Sequence, residues 1–118
     1  MKVAIRIKRV YEPPSPDDGK RVLVDRIWPR GLSREAAALD LWPKDIAPST
    51  ELRKWFAHDP SRFAEFRDRY RQELENNPEP VAQLAAVARQ GDLTLLYAAH
   101  DEHDNNAVVL AEYLKDQQ

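Results

Sequence analysis

Cysteine is absent from this 118-residue chain. That excludes a disulfide framework, a thiolate nucleophile, cysteine-ligated zinc and iron–sulfur chemistry together. Glycine is scarce, at three residues, and neither a P-loop nor a dinucleotide fingerprint occurs, so no cofactor is expected. No stretch approaches the ~18 apolar residues that a membrane helix needs, and no membrane partner is expected. Neither sign of charge prevails: 18 Lys and Arg face 20 Asp and Glu, for a net charge of −2. A duplex-binding domain is basic on at least one face, so no nucleic acid is expected. Histidine is equally sparse, with three in all. His100 and His103 form a His-x-x-His without a third histidine nearby, and His58 stands before a helix cap, so no metal site is expected. There is no Gly-x-Ser-x-Gly elbow. Met1 to Val10 alternates charge without a long apolar run, unlike a signal peptide, and with the missing cysteines this gives a cytoplasmic expectation.

What is present suits one domain over residues 1–118. Hydrophobic residues make up 42% and charged residues 32%, and a chain of this length buries roughly two-thirds of its surface on folding. Val3, Ile5 and Ile7 alternate with Ala4, Arg6 and Lys8, the period of a strand with one buried face. Tyr11 to Lys20, with three prolines and Gly19, reads as a loop. Arg21 to Arg26 contains the unbroken trio Val22, Leu23 and Val24, and Asp92 to Ala99 contains Leu93, Leu95, Leu96 and Tyr97. Both look like strands covered on two faces, as in parallel sheets. Helices are expected after Ser33, after Ser49, from Asp59-Pro60 through Leu74, from Asn77 to Gly91, and through Ala107 to Leu114. On the helix with Phe63, Phe66, Tyr70 and Leu74, Glu65 with Arg69 and Asp68 with Arg71 are the expected ion pairs. The fold class is therefore α/β, a single three-layer domain with a small, mainly parallel sheet flanked by helices.

Chemistry gathers at two strand ends. Val24-Asp25-Arg26-Ile27-Trp28-Pro29-Arg30-Gly31 places two arginines, an aspartate and a tryptophan where the backbone leaves the sheet, which is where open α/β sheets bind ligands. Strand alternation puts Asp25 and Ile27 on one face, Arg26 and Trp28 on the other. Arg26 and Arg30 offer donor forks for a carboxylate or phosphate, and Trp28 a wall. The second strand end runs from Tyr97 through Asp101 to Asn105 and Asn106 at a helix start, where free N–H groups favour anions. Asp104 or Asn105 also suits the cap of that helix. Asp25 and Asp101 would orient or deprotonate a substrate if the two strands are neighbours.

The same residues carry a resemblance. VDRIWPRG at Val24 to Gly31, Trp42 to Lys44, Pro48-Ser49, Leu52-Arg53, Trp55-Phe56, His58-Asp59-Pro60, Phe66 and Tyr70 resemble the YeaO-like family of small bacterial proteins. Glu73-Leu74, Leu-Leu-Tyr-Ala-Ala from Leu95, Asp101, Asn105-Asn106-Ala107 and Leu110 continue the match over nearly the full length. The family is a domain of unknown function. The resemblance implies an α/β fold with a strand-end site and supplies no reaction. Broader relatives often carry a cysteine near the position of Tyr97; this chain has none, so a thiol-based activity is excluded for it. Two readings place a ligand there, against a third in which the chain is an interaction protein whose arginines are purely structural. One is an enzyme acting on a small phosphorylated or carboxylated metabolite held by an anion pocket of Arg26, Trp28, Arg30, Tyr97, Asn105 and Asn106. The alternative is a non-catalytic ligand- or partner-binding regulatory module using that pocket.

Overall fold

A computed structural model describes residues 4–117; Val3, the first residue of the expected alternation, lies outside them. Three short strands form one parallel sheet in the order β1-β3-β2: β1 is Ile5–Arg9, β2 is Lys20–Leu23 and β3 is Leu93–Tyr97. Leu95 pairs with Ile7 on one side and Val22 on the other. The two apolar runs are thus parallel neighbours, as their patterns imply. β3, buried at all five positions, is the centre. β2 lies at the edge, but its outer side is strapped by the chain around Leu41: Leu23 N–H donates to Leu41 O at 3.1 Å, and Asp40 N–H to Arg21 O at 2.8 Å. That strap is why an edge strand carries the sequence of an interior one.

Among the described residues five helices flank the sheet: α1 Arg34–Ala37, α2 Thr50–Phe56, α3 Phe63–Glu75, α4 Pro78–Gln90 and α5 Asn106–Asp116. The helix expected from Asp59-Pro60 begins instead as a 3-10 turn, Pro60–Arg62, and becomes α-helical at Phe63. The Asp59 side chain accepts from Ser61 N–H and caps this turn. Helices α2 to α5 cover one face of the sheet, packing Leu52, Phe56, Phe66, Tyr70, Leu74, Leu84 and Leu110 against Val22, Val24, Leu93, Leu95 and Tyr97. The other face is thinner: Ala37 of α1, with Trp28, Leu32, Leu39 and Trp42, covers Leu23 and Leu96. On α3 the Glu65–Arg69 pair forms, while Arg71 reaches Asp116 of α5 at 2.9 Å instead of Asp68.

Beside that thinner face lies a buried polar network. Asp18 receives Arg21 Nη1 at 2.6 Å and Lys8 Nζ at 3.1 Å, and its backbone carbonyl accepts from the Thr94 hydroxyl. Arg21 also donates to the Ala37 and Ala38 carbonyls, the unpaired end of α1. Burial pushes the Asp18 carboxyl up, yet the Ser15 N–H, Lys8 and Arg21 outweigh it and hold the group below its ordinary 3.8. Gly19 makes this turn possible. Its φ is +63°, and a Cβ there would sit 2.2 Å from the Asp92 carbonyl oxygen.

Candidate functional site

The β2–β3 ladder parts one step after Leu23. Val24 N–H still donates to Leu96 O at 3.0 Å, and regular parallel pairing would next bring Ala98 N–H to Val24 O. Side chains intervene instead. Ala98 N–H donates to Asp25 Oδ2 at 2.9 Å, while Asn106 Nδ2 donates to Val24 O and to Asp25 Oδ1, both at 3.0 Å. Asp25 and Asn106 therefore satisfy the backbone groups left where the strands separate, and their polar side chains fill this notch in the ladder at the C-terminal end of a parallel sheet. Trp42 Nε1 fixes the Asp25 carbonyl at 2.8 Å.

Burial pushes the Asp25 carboxyl above its ordinary 3.8; the hydrogen bonds from Asn106 and Ala98 and the fields of His58 and Arg53 oppose it. Arg53 and His58 come from α2 and its end, and both escape a reading based on strand ends. Helix α2 is pinned at its start: the Ser49 side chain caps Leu52 N–H at 3.1 Å, and Glu73 of α3 accepts from Ser49 N–H and Oγ at 2.8 and 2.6 Å. Arg53 comes one turn later. Its Nε is buried and has no hydrogen-bond partner, and its guanidinium forms no ion pair among the described residues. At the helix end Ala57 and His58 both adopt left-handed backbone, with φ of 48° and 56°. For non-glycine residues that conformation costs energy and recurs at functional sites. The field of His58 reaches both Asp25 and Asp101. The available signal for both residues was their place in the family's ordered matches, Leu52-Arg53 and His58-Asp59-Pro60.

The other sequence-derived residues disperse. Because β2 stops at Leu23, alternation no longer governs the residues beyond it, and Arg26 and Trp28 do not share a face. Arg26 donates to the Ala47 and Pro48 carbonyls at 3.2 and 3.4 Å. Trp28 joins the thinner core, edge-on to Trp42 at 5.3 Å, with Arg34 over its ring and Nε1 donating to Leu32 O. Arg30 is exposed; its carbonyl accepts from the Tyr11 hydroxyl. Tyr97 is buried at the end of β3, where burial and the nearby Glu102, Glu12 and Asp101 push its phenol above 10.0 against the opposing Arg9. Asp101 Oδ1 accepts the Asp104 and His103 N–H groups, which hold its carboxyl below the ordinary value. Asn105, not Asp104, caps α5 through Val108 N–H at 3.0 Å. Two open recesses lie away from the notch: one of about 700 Å³ beside Asp45, Asn77 and Glu79, the other of about 320 Å³ beside Ser49, Arg69 and Glu73. Neither is lined by Asp25 or Arg53.

Among the described residues no helix is long and apolar enough to cross a membrane. No solved structure matches the chain. Among curated proteins it is 47% identical over 111 residues to the uncharacterized protein YeaO of Escherichia coli (strain K12), covering 94% of this chain and 96% of that one. It is 44% identical over 110 residues to the uncharacterized protein Rv3073c of Mycobacterium tuberculosis (strain ATCC 25618 / H37Rv), covering 93% and 92%. A family profile, DUF488-N3i, matches residues 4–118. On a match that spans nearly the whole chain, the protein belongs to the YeaO-like family described as the inactive DUF488-N3 subclade.

Proposed function

We propose that this chain is a cytoplasmic, non-catalytic binding module that holds a small anionic molecule, a phosphorylated or carboxylated metabolite, at the notch between β2 and β3. The observation that carries the reading is Arg53: a guanidinium with a buried, unpartnered Nε, on a helix pinned by Ser49 and Glu73, within electrostatic reach of Asp25. An unsatisfied buried donor costs roughly 1–3 kcal/mol, and an incoming acceptor recovers that cost. Arg26, taken up by two carbonyls, braces the loop before α2 rather than serving the ligand. Asp25 and Asp101 titrate in opposite directions, as an acid–base pair does, but the direction of Asp101 comes from its own turn. The family's description as inactive favours binding without turnover.

Thermal unfolding in phosphate and acetate tests the reading. An anion at about 100 times its Kd adds roughly 2.7 kcal/mol, a melting shift on the order of 10 °C for a chain of this size. Arg53→Met should abolish the shift and Arg30→Ala should leave it. If no anion shifts the wild type, or if the shift survives Arg53→Met, the reading fails.

A further inference from the structure

We propose that the thinner face of the sheet, around Trp28 and Trp42, docks an acidic segment of another protein that carries apolar side chains between its carboxylates. Parallel sheets are ordinarily covered by helices on both faces. Here α2 to α5 cover one face, while the other has only the four-residue α1 and a layer of Trp28, Leu32, Leu39, Trp42 and Ala98, each partly buried. The polar ends of both indoles are used inside the chain, on the Leu32 and Asp25 carbonyls. Their remaining exposed surface is apolar. Ile27, next to Trp28 in the chain, is 55% exposed. An apolar surface rimmed by charge marks a place where another molecule binds.

The rim is cationic and unpaired. Arg34 lies 4.8 Å from the centre of the Trp28 ring and Lys44 4.1 Å from that of Trp42. Among the described residues neither cation forms an ion pair or a side-chain hydrogen bond, and the exposed Arg30 is equally free. Trp55 on α2 provides the contrast. Two arginines also stand over its ring, but Arg62 is paired with Asp59 and Arg69 with Glu65. Residues 26–44 hold four cations against Glu35 and Asp40, and Asp40 is taken by Arg21 N–H. The carboxylates this face lacks are supplied by the partner.

The rings decide which kind of anion fits. Single-stranded nucleic acid stacks its bases on open aromatic faces. Trp28 and Trp42 instead stand edge to face at 5.3 Å, and each has a cation over its ring. Carboxylates interspersed with apolar side chains match both the cations and the apolar layer. A second copy joined through a two-fold axis would set Arg30, Arg34 and Lys44 against their own equivalents. Arg53 has no part in this surface, which therefore stands independently of the anion site.

The test follows the indole N–H signals of the three tryptophans by NMR in the whole chain. The probes are a short peptide of glutamates with interspersed leucines, the same peptide with lysines for glutamates, and an oligothymidylate of matching charge. The acidic peptide should shift Trp28 and Trp42 saturably and leave Trp55 in place, and the other two should shift none. Arg34→Gln combined with Lys44→Gln should weaken the acidic peptide about five- to tenfold, the combined worth of two exposed ion pairs, with the circular dichroism spectrum kept. Raised salt should weaken binding to the wild type in the same direction, without any substitution. The proposal is overturned if the acidic peptide fails to bind, if Trp55 moves with the other two, or if binding survives the double variant or ignores salt. A response to oligothymidylate or to the lysine peptide equal to that of the acidic peptide overturns it as well.

Discussion

Replacing Asp18 by alanine should remove more stability than any single change at the surface. The carboxylate joins Arg21, whose side chain is 5% exposed, to Lys8 at 18%. Truncation leaves both cations facing an empty space. Lys8 keeps the Pro13 carbonyl, and Arg21 keeps the end of α1. Breaking a buried ionic pair by deleting one partner costs about 3–5 kcal/mol. At about 4 °C per kcal/mol for a chain of this size, the melting temperature should fall by about 12–20 °C. Lys8→Met should cost less, because the Asp18–Arg21 contact survives. The carboxyl is held below 3.8 in the folded state. Its contribution is therefore complete above that value and is lost as pH falls through the folded pKa, so variant and wild type should converge in acid. Thermal and urea unfolding followed by circular dichroism at pH 7 and downward to pH ~3 measures both effects. A loss under about 1 kcal/mol at pH 7, or a difference that ignores pH, would refute the argument.

Tyr70→Phe should cost about 1–3 kcal/mol in urea unfolding, because the buried hydroxyl donates to Ile46 O at 2.6 Å and its loss strands that carbonyl. Gly19→Ala should destabilise more than an ordinary glycine replacement, read as a lower melting temperature, since positive φ and the Asp92 carbonyl both oppose a Cβ. Carboxyl carbon shifts should show Asp25 titrating above 3.8 and Asp101 below it, with Arg53→Met moving Asp25 higher still. Because the Asp25 pKa is raised on folding, its stabilising effect is present in acid and is lost as pH rises through the folded value, opposite in sign to Asp18.

The layers were legible in the sequence because Val22-Leu23-Val24 and Leu93 to Tyr97 are too apolar for anything but covered strands. Ser33 and Ser49 announce α1 and α2 through local capping alone. Asp25 and Asn106 meet, as two strand ends side by side suggest. The fate of Arg26 and Trp28 was not legible. It depends on where β2 stops, and that is set by the side chains of Asp25 and Asn106, 81 positions apart, competing for the ladder. Arg53 and His58 were hidden for a similar reason: a helix that contributes nothing to the sheet delivers them. The Lys8–Asp18–Arg21 network was missed because charged residues read as exterior until their partners are known.

The strap over β2 has a consequence for assembly. A sheet edge is a template on which another chain can build, and proteins guard such edges by covering or charging them. Residues 40 and 41 close the β2 side, whereas β1 pairs only with β3 among the described residues. Any strand joining from outside must therefore arrive at β1, past Arg6 and Lys8, which Asp92 and Asp18 hold in place on one side of that edge. Those two cations act as the molecule's guard against sheet extension, and discharging the exposed Arg6 would show first as self-association rather than as lost stability.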